Sequence, residues 1–478
     1  MKRIALEFGF NDYLSPFSWR YASDEMRSVF SERARRLNWR RVWVALARAQ
    51  HKAGLVSRAE LADIEAHAKQ IDVARSLEIE EETRHDLVAE LRAFAEQCKT
   101  GGGKIHLGAT SYDVVDNADA IAVLQALAIV RKRLFDLLAC FKKKIDYYAC
   151  VPCIGFTHLQ PAEPTTLGYR LAFYAQDLLA DFEGASYWLE NYKAKGFKGA
   201  VGTSASYAAL LAETKMKSVE FEKLVLDELG LQAFEITTQT APRKQDYRVL
   251  CFLAGVAQSL HKFAFDVRFL QTPAYGEWSE PFGERQVGSS AMPFKRNPVS
   301  CEKICSLARF VAALPAIAWS NAALSALERT LDDSANKRVF LPEAFLAVDE
   351  ILVSGLKVLD GLVVDAKAVA RNLEKYGDFA ATEPLLIALV KRGANRQEMH
   401  EVLREHALRA WQAVQRGEKN PLKDSLAKDK RVAKFLRASE VERIMNAKTH
   451  VGDAAQRARD FSKLLGQKLV EAKKKEKA

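Results

Sequence analysis

The sequence predicts an all-α fold. Two stretches, 124–145 and 249–270, repeat apolar residues in steps of three and four, a spacing that places them on one face of a helix. Three further stretches, 168–192, 300–328 and 342–362, are also long helix candidates. No run alternates apolar and polar residues on a scale that would build a domain of strands. Apolar seams of this length are typical of helices that pack nearly parallel in a bundle.

The chain is long enough for several domains, since it has 478 residues. Glycine, proline, serine and threonine concentrate in short segments between the long helices, where they punctuate the chain. We therefore predict a helical N-terminal domain at 1–111, a central long-helix bundle at 112–364 and a helical C-terminal domain at 365–478.

The composition predicts a soluble globular protein. Charged residues make up 28% of the chain and hydrophobic residues 49%, which is ordinary for that class. No apolar run is judged long enough to span a bilayer. The opening segment, "MKRIALEFGF", has too short an apolar stretch for a signal peptide. These observations together predict a cytoplasmic protein.

The seven cysteines are an odd number in a long chain, which favours reduced thiols over a disulfide framework. Cys150 and Cys153 form a C-x-x-C, a pattern shared by redox pairs and zinc sites. A zinc site usually needs four ligands, and no second pair has the required spacing. We therefore favour two buried thiols near the end of a helix.

The net charge of +10 does not by itself indicate nucleic-acid binding. Part of it lies in the C-terminal "KLVEAKKKEKA", which we predict to be a solvated, frayed tail. The chain has no zinc-finger spacing and no aromatic RNA-binding motif. A small anionic substrate explains a basic site more simply, and we predict no nucleic-acid or membrane partner.

The segment "GSSAMPFKRNP", 288–298, cannot be helical because its two prolines fix φ and remove donors. It combines the hydroxyl of Ser289 with the charge of Lys295 and the amide of Asn297. Such groups, with exposed backbone amides, suit a carboxylate on which charge grows during a reaction. The alternative is a polar turn between helices.

A second segment, "GFTHLQPAEPTT", places His158 among polar residues and prolines. Histidine is a suitable general acid or base because its pKa lies near neutral pH. The alternative is a histidine with a structural hydrogen bond.

Two more segments combine charges. In "EETRHDLVAEL", His85 and Asp86 stand at a predicted helix start; in "LERTLDDSANKR", Arg329 and Arg338 flank Ser334. Arginines bind phosphate and carboxylate groups with two hydrogen bonds. Here the alternative is a salt-bridged surface loop.

These segments also carry a family resemblance. "GSSAMPFKRNP" resembles the signature loop of the fumarase/aspartase superfamily, written G-S-S-x-M-P-x-K-x-N-P, and "GATSYDVVDNADA" and "THLQPAEPTTLG" resemble its other two characteristic regions. Within the superfamily, "SWRYASDEM", "RHD", "TQTAPRKQD" and "LERTLDDSANKR" resemble the adenylosuccinate lyase family. These pieces span residues 17–338, and a weaker similarity continues through "GANRQEMHEVLREHA".

The resemblance implies an all-α fold of three domains and a homotetramer whose core is a central helical bundle. It implies active sites shared between three subunits. It also implies β-elimination of fumarate from adenylosuccinate, giving AMP, and from succinyl-aminoimidazole carboxamide ribotide (SAICAR), giving AICAR. Neither reaction requires a metal or an organic cofactor.

By the same resemblance, Ser289 is the general base and His158 the general acid, and Lys295 and Asn297 face the developing carbanion charge. The resemblance assigns substrate binding to a further set: Arg20, Tyr21, Arg84, His85, Asp86, Thr110, Ser111, Gln239, Arg329, Ser334 and Arg338. Because Gly283 and Gly288 flank the signature loop, we expect the loop to be mobile and to close on substrate.

The chain departs from the family pattern at two positions. Lys303 stands where the resemblance leads us to expect arginine, and Ser300 stands where it leads us to expect a basic residue. Lysine keeps the charge but loses the two-pronged geometry of arginine, which bears on the balance between the two substrates. Alternative functions are a sister lyase such as argininosuccinate lyase, or a non-catalytic protein on the same fold.

Overall fold

The computed structural model describes residues 11–477, and the segment on which the signal-peptide prediction rests lies outside them. The helices in chain order are α1 (Asp24–Val29), α2 (Glu32–Lys52), α3 (Arg58–His67), α4 (Val73–Thr83), α5 (Asp86–Gln97), α6 (Ser111–Tyr148), α7 (Leu167–Asn191), α8 (Ala205–Leu211), α9 (Ser218–Leu229), α10 (Lys244–Leu270), α11 (Val299–Ala313), α12 (Pro315–Leu324), α13 (Asp332–Asp360), α14 (Ala366–Ala380), α15 (Thr382–Lys391), α16 (Arg396–Gln415), α17 (Leu422–Ala427), α18 (Lys430–Ala433), α19 (Ala438–Ile444) and α20 (Ala454–Lys477). Short 3₁₀ turns lie at Pro16–Ser18, Gly102–Lys104 and Ala447–Thr449. The strands are β1 (Pro152–Thr157), β2 (Gln160–Thr166), β3 (Lys193–Ala194), β4 (Gln232–Ala233), β5 (Trp278–Ser279) and β6 (Val363–Val364). The all-α prediction is confirmed.

The long periodic stretches form the long helices α6, α7 and α10. The candidate at 300–328 is instead divided, because α12 begins at Pro315, which has no amide hydrogen to continue α11. The candidate at 342–362 starts earlier than predicted, with α13 at Asp332.

One stretch of the described residues, Val299–Leu324, is long and apolar enough to cross a membrane by length and composition. The prediction that no run meets this criterion was therefore wrong. The stretch carries the charges of Glu302, Lys303 and Arg309 and is broken before Pro315. Helices of soluble proteins pass the same test, so the finding is weak support for a membrane span.

The chain divides into two compact units. The first comprises residues 11–134, 181–260 and 306–353, and the second comprises 135–180, 261–305 and 354–477. The three predicted domains and their boundaries stay a prediction.

The first unit packs α2 against α3, α4 and α9. Trp43 and Phe94 are buried there, and Arg40 is buried with them. The guanidinium of Arg40 pairs with Glu90 at 2.7 Å and lies over the Phe94 ring. A buried charge is tolerated when it is paired in this way.

The second unit contains the β1–β2 hairpin, in which Thr157 pairs with Gln160. The sequence predicted a loop here, and that prediction was wrong. Pro, Gly and Glu interrupt the alternation of apolar and polar residues that would indicate a strand. The two strands are instead stabilised by tertiary packing. Helix α14 packs on both strands, and Ile154 is buried against Leu373 and Ala447.

The C-terminal segment also differs from its prediction. Helix α20 runs to Lys477, whereas the sequence predicted a frayed tail from residue 468. Leu469 and Ala472 are buried, so one face of the helix packs, while Lys473, Lys474 and Lys475 are exposed.

All seven cysteines are free, as predicted. Five are buried, while Cys150 and Cys251 are exposed. The prediction of two buried thiols in the C-x-x-C is therefore right for Cys153 and wrong for Cys150. Within residues 11–477 no group of three or more His, Cys, Asp or Glu is arranged to hold a metal ion.

Candidate active site

The first unit contains a cavity of about 1130 Å³. Its walls come from α2, the α4–α5 junction, the start of α6 and the start of α13. The cavity brings together predicted binding residues that are far apart in sequence: Arg84, His85, Asp86, Thr110, Ser111, Gln239, Ser334 and Arg338. Arg20 and Tyr21 lie between the first 3₁₀ turn and α1 and do not line the cavity.

The "RHD" motif joins two helices, and the helix start predicted at His85 and Asp86 is confirmed. Arg84 ends α4 with a φ of 54°, which reverses the chain direction. His85 then caps α5, its Nδ1 accepting from the Val88 amide at 3.5 Å. The other ring nitrogen of His85 lies 3.5 Å from the hydroxyl of Ser111. The capping bond thus orients the imidazole toward the start of α6.

Asp86 and Arg338 form an ion pair across the cavity wall, with 2.6 Å between Oδ2 and Nη2. Burial opposes ionisation of Asp86, but Arg338 and the Leu87 amide outweigh it, so the pKa of the carboxyl lies below its ordinary value. Both groups are therefore charged at neutral pH. The pair holds Arg338 at a fixed position on the wall.

Asp113 fixes the loop that carries Thr110 and Ser111. Its Oδ2 accepts from the Thr110 amide at 3.1 Å and from the Tyr207 hydroxyl at 3.0 Å. Its other oxygen pairs with the buried Lys195. A fully bonded buried carboxylate of this kind makes the start of α6 rigid.

A network of ion pairs forms part of the cavity wall, where Asp116, Arg243, Asp333 and Lys337 are lining residues. Arg243 bridges Asp116 at 3.0 Å and Asp333 at 2.6 Å. Arg329 pairs with Asp333 at 2.8 Å and lies over the Tyr112 ring at 4.1 Å. In the part of the chain that the structure describes, Nε and Nη2 of Arg329 are buried without a hydrogen-bond partner. Buried donors left unsatisfied are costly, and Arg329, although a predicted binding residue, does not itself line the cavity.

Lys337 is the third cation of this network. It lies 3.2 Å from Asp119 and 3.4 Å from Asp246. Burial and Arg243 disfavour its charge, but the surrounding carboxylates outweigh them and raise the pKa of Lys337 above its ordinary value. Sequence reasoning did not assign Lys337 or Arg243, although both lie inside the motifs "LERTLDDSANKR" and "TQTAPRKQD".

In the second unit, His158 lies in the two-residue turn between β1 and β2. His158 has a φ of 52° and Leu159 a φ of 59°. Both φ values are positive, as a type I′ hairpin turn requires, although neither residue is one that such a turn favours. Backbone strain of this kind concentrates at functional sites. The imidazole of His158 is exposed.

The signature loop is non-helical, as predicted, and largely exposed. Ser289 Oγ accepts from the amides of Ala291 at 3.3 Å and Met292 at 3.0 Å. Asn297 donates its side-chain amide to the Gly288 carbonyl at 2.8 Å. Lys295 is exposed on the same loop. The loop thus brings the predicted base, cation and amide together on one short segment.

The chain matches family models and curated relatives over most of its length. A family model described as "Lyase" matches residues 19–312, and one described as "Adenylosuccinate lyase C-terminus" matches residues 378–461. The chain is 37% identical to an adenylosuccinate lyase of Saccharomyces cerevisiae over 460 residues, covering 95% of this chain and 94% of the relative. It is 36% identical to the one of Pyrococcus horikoshii over 447 residues, covering 92% and 95%.

Solved structures of related enzymes share the fold. A 3-carboxy-cis,cis-muconate lactonizing enzyme from Pseudomonas putida has a TM-score of 0.82 at 26% identity, covering 94% of this chain and 99% of that chain. A fumarate lyase from Mesorhizobium sp. BNC1 has a TM-score of 0.81 at 25% identity, with coverage of 94% and 99%.

The helical fold and the signature loop define the class of the fumarase/aspartase lyases. The curated relatives narrow this class. The chain belongs to the adenylosuccinate lyase family and is an enzyme of the C–N lyase type.

Proposed function

We propose that this enzyme releases fumarate from adenylosuccinate, giving AMP, and from SAICAR, giving AICAR. The observation that carries the proposal is the cavity of the first unit, whose polar and basic lining suits a nucleotide monophosphate. Its volume of about 1130 Å³ is sufficient for a ligand of that size.

Phosphate and carboxylate groups account for the cations in and beside this cavity. Arg329 offers two buried donors without partners, and Arg338 is held in place by Asp86. Arginine matches the geometry of both anion types. We assign the succinyl group and base to contacts with Thr110, Ser111 and Gln239, and place Arg20 and Tyr21 among the nucleotide contacts.

In the proposed reaction, Ser289 removes a proton from the carbon next to a carboxylate of the succinyl group. The electron pair spreads into that carboxylate and then forms the carbon–carbon double bond of fumarate. The bond to nitrogen breaks, and His158 donates a proton to the departing nitrogen. Each proton transfer of this kind contributes about 10²–10⁴ in rate.

The hydrogen bonds of Ser289 support its role as a base. The two backbone amides that donate to Ser289 Oγ stabilise negative charge on that oxygen, because bonds to the charged form of a group favour it. Lys295 and Asn297 on the same loop supply positive charge and a donor for the carboxylate.

We further propose a cytoplasmic homotetramer in which three subunits contribute to each active site. Exposed apolar residues on and near α12 support an interface, since Trp319 is 56% exposed and Leu324 70%. Large apolar side chains exposed on one helix suit a contact with another protein. Light scattering coupled to size-exclusion chromatography tests the tetramer.

The signature loop is proposed to close on the bound substrate. Its exposure, including Phe294 at 83% and Val287 at 78%, leaves it free to move. Slower hydrogen exchange of residues 284–298 in the presence of AMP and fumarate supports closure. Equal exchange with and without these products contradicts it.

The test of function is direct turnover. Purified enzyme is given adenylosuccinate, SAICAR or argininosuccinate in separate reactions, and fumarate is measured. Ser289→Ala and His158→Ala should each lose about 10²–10⁴ in kcat, whereas Ser290→Ala should lose much less and His400→Ala, on the exposed face of α16, should be unaffected.

Fumarate from argininosuccinate alone would move the assignment to that sister lyase. No product from any of the three, in a folded protein, would favour a non-catalytic role on this fold.

A further inference from the structure

The turn that carries His158 is an unusual choice of residues for its backbone. A two-residue hairpin connection with both φ values positive favours Asn, Asp and Gly, yet here it contains His158 and Leu159. Leucine with a left-handed backbone is strained, because its Cβ lies too close to the following carbonyl oxygen. A conformation this unfavourable persists only where surrounding contacts hold it.

Tyr275 supplies such a contact from outside the hairpin. Its hydroxyl donates to the Leu159 carbonyl at 3.0 Å. Its ring packs edge-on against Phe156 of β1, with 4.7 Å between the ring centroids and 78° between the planes. One side chain thus contacts both the strand before the turn and the turn itself.

Tyr275 is itself anchored. Asn372 donates to the Tyr275 carbonyl at 2.9 Å, and Arg371 donates to the same oxygen at 3.3 Å. Both donors lie on α14, the helix that packs on β1 and β2. The tyrosine backbone therefore has a fixed position relative to the hairpin.

The neighbouring Glu277 strengthens this anchor. It is buried, accepts from Asn372 at 3.0 Å and pairs with Arg170 at 2.9 Å. Arg170 also donates to the Ile154 carbonyl of β1 at 2.6 Å. A continuous set of bonds therefore joins the segment 275–277 to the hairpin at two points, one at Ile154 and one at Leu159.

We propose that Tyr275 is a positioning residue that holds the strained turn and thereby aims the His158 imidazole for its proton transfer. The proposal rests on the proposed role of His158 as general acid. Tyr275 takes no part in the chemistry and binds the turn only through the backbone oxygen of Leu159. A small displacement of an acid that must reach a departing nitrogen lowers kcat without weakening substrate binding.

The test is a double-mutant cycle between Tyr275→Phe and Leu159→Gly. Tyr275→Phe removes the hydroxyl and keeps the ring, and should lower kcat about three- to tenfold with little change in KM. Leu159→Gly keeps the carbonyl acceptor and removes the strain at that position. The double variant should therefore recover much of the lost kcat. Tyr147→Phe, at an exposed tyrosine near the end of α6, is the matched control and should match wild type.

Two results would overturn the proposal. One is a Tyr275→Phe enzyme with wild-type kcat. The other is a loss that Leu159→Gly does not relieve and that follows a lowered melting temperature, because this would show a role in stability alone.

A readout independent of activity separates this proposal from the proposed function. Hydrogen exchange of residues 156–161 should be faster in Tyr275→Phe than in wild type or Tyr147→Phe. If exchange rises while His158→Ala retains full activity, Tyr275 holds the turn and the assignment of His158 as acid is what fails. Unchanged exchange overturns the positioning role whatever the activity.

Discussion

The cavity of the first unit and the two loops of the second unit are built in different ways. The cavity wall contains buried ion pairs, in which Asp116 lies close to both Arg243 and Lys337. The signature loop and the His158 turn are exposed and are held by a few hydrogen bonds to backbone atoms. The difference indicates that the binding surface is formed in advance, whereas the proposed chemical groups depend on local backbone geometry. Segments with few buried contacts are also those that open most readily.

The largest expected effect is on the stability of the cavity. Lys337→Met leaves the buried Asp246 without its cation, and removing one partner of a buried pair costs about 3–5 kcal/mol. Urea unfolding followed by circular dichroism measures the loss. Lys223→Met is the matched control, because Lys223 pairs with Asp227 at 2.6 Å on the exposed face of α9; it should cost at most about 1 kcal/mol. Equal losses in both variants would break the comparison, since buried charges would then not distinguish the cavity.

The second-largest expected effect concerns the signature loop and is a loss of kcat. A Cβ at Gly288 would collide with the Lys295 carbonyl, so Gly288→Ala displaces the backbone beside Ser289. A misplacement of about 1 Å can cost about 10²-fold in rate, and we expect such a loss of kcat with little change in melting temperature.

Gly283→Ala is the control for that loop variant. The nearest atom to a Cβ at Gly283 is 3.7 Å away, an ordinary contact, so this variant should retain much more activity. A melting temperature that falls as far in Gly288→Ala as in Lys337→Met would show that the loop, like the cavity, is part of the stabilising core.

The smallest effect concerns pH. Because the folded-state pKa of Asp86 lies below its ordinary value, its ion pair with Arg338 stabilises the fold above about pH 4. This contribution is lost as pH falls through the folded pKa. Asp86→Asn should therefore be less stable than wild type by up to about 1 kcal/mol near pH 7, and the difference should shrink below about pH 4. A difference that stays constant with pH would assign the effect to packing rather than to charge.

The spacing of apolar residues in steps of three and four predicted the long helices, because a helix that packs against other helices needs apolar residues along one face. It did not predict the hairpin at Pro152–Thr166, whose prolines and glycine obscure any alternation, so that only the packing of α14 reveals the strands. Pro315 marked a helix boundary that the apolar run around it concealed.

The sequence also predicted the candidate site only in part. The motifs contain the predicted binding residues that line the cavity, because those residue types suit anions. Burial could not be read from them, so the roles of Lys337 and Arg243 in the ion network emerged only from the fold. The strain at Leu159 likewise depends on a backbone angle, which the sequence "THLQ" does not disclose.

The burial of the thiols allows a label to be attached next to the β1–β2 hairpin. Burial raises the pKa of Cys98, Cys140 and Cys153 to about 11, so these thiols resist alkylation near neutral pH. The exposed Cys150 and Cys251 remain open to reagents in the single chain. With Cys251→Ser, a maleimide fluorophore would attach at Cys150, directly ahead of the strand that leads to His158. Fluorescence from a label at Cys150 would therefore report changes in the environment of the hairpin.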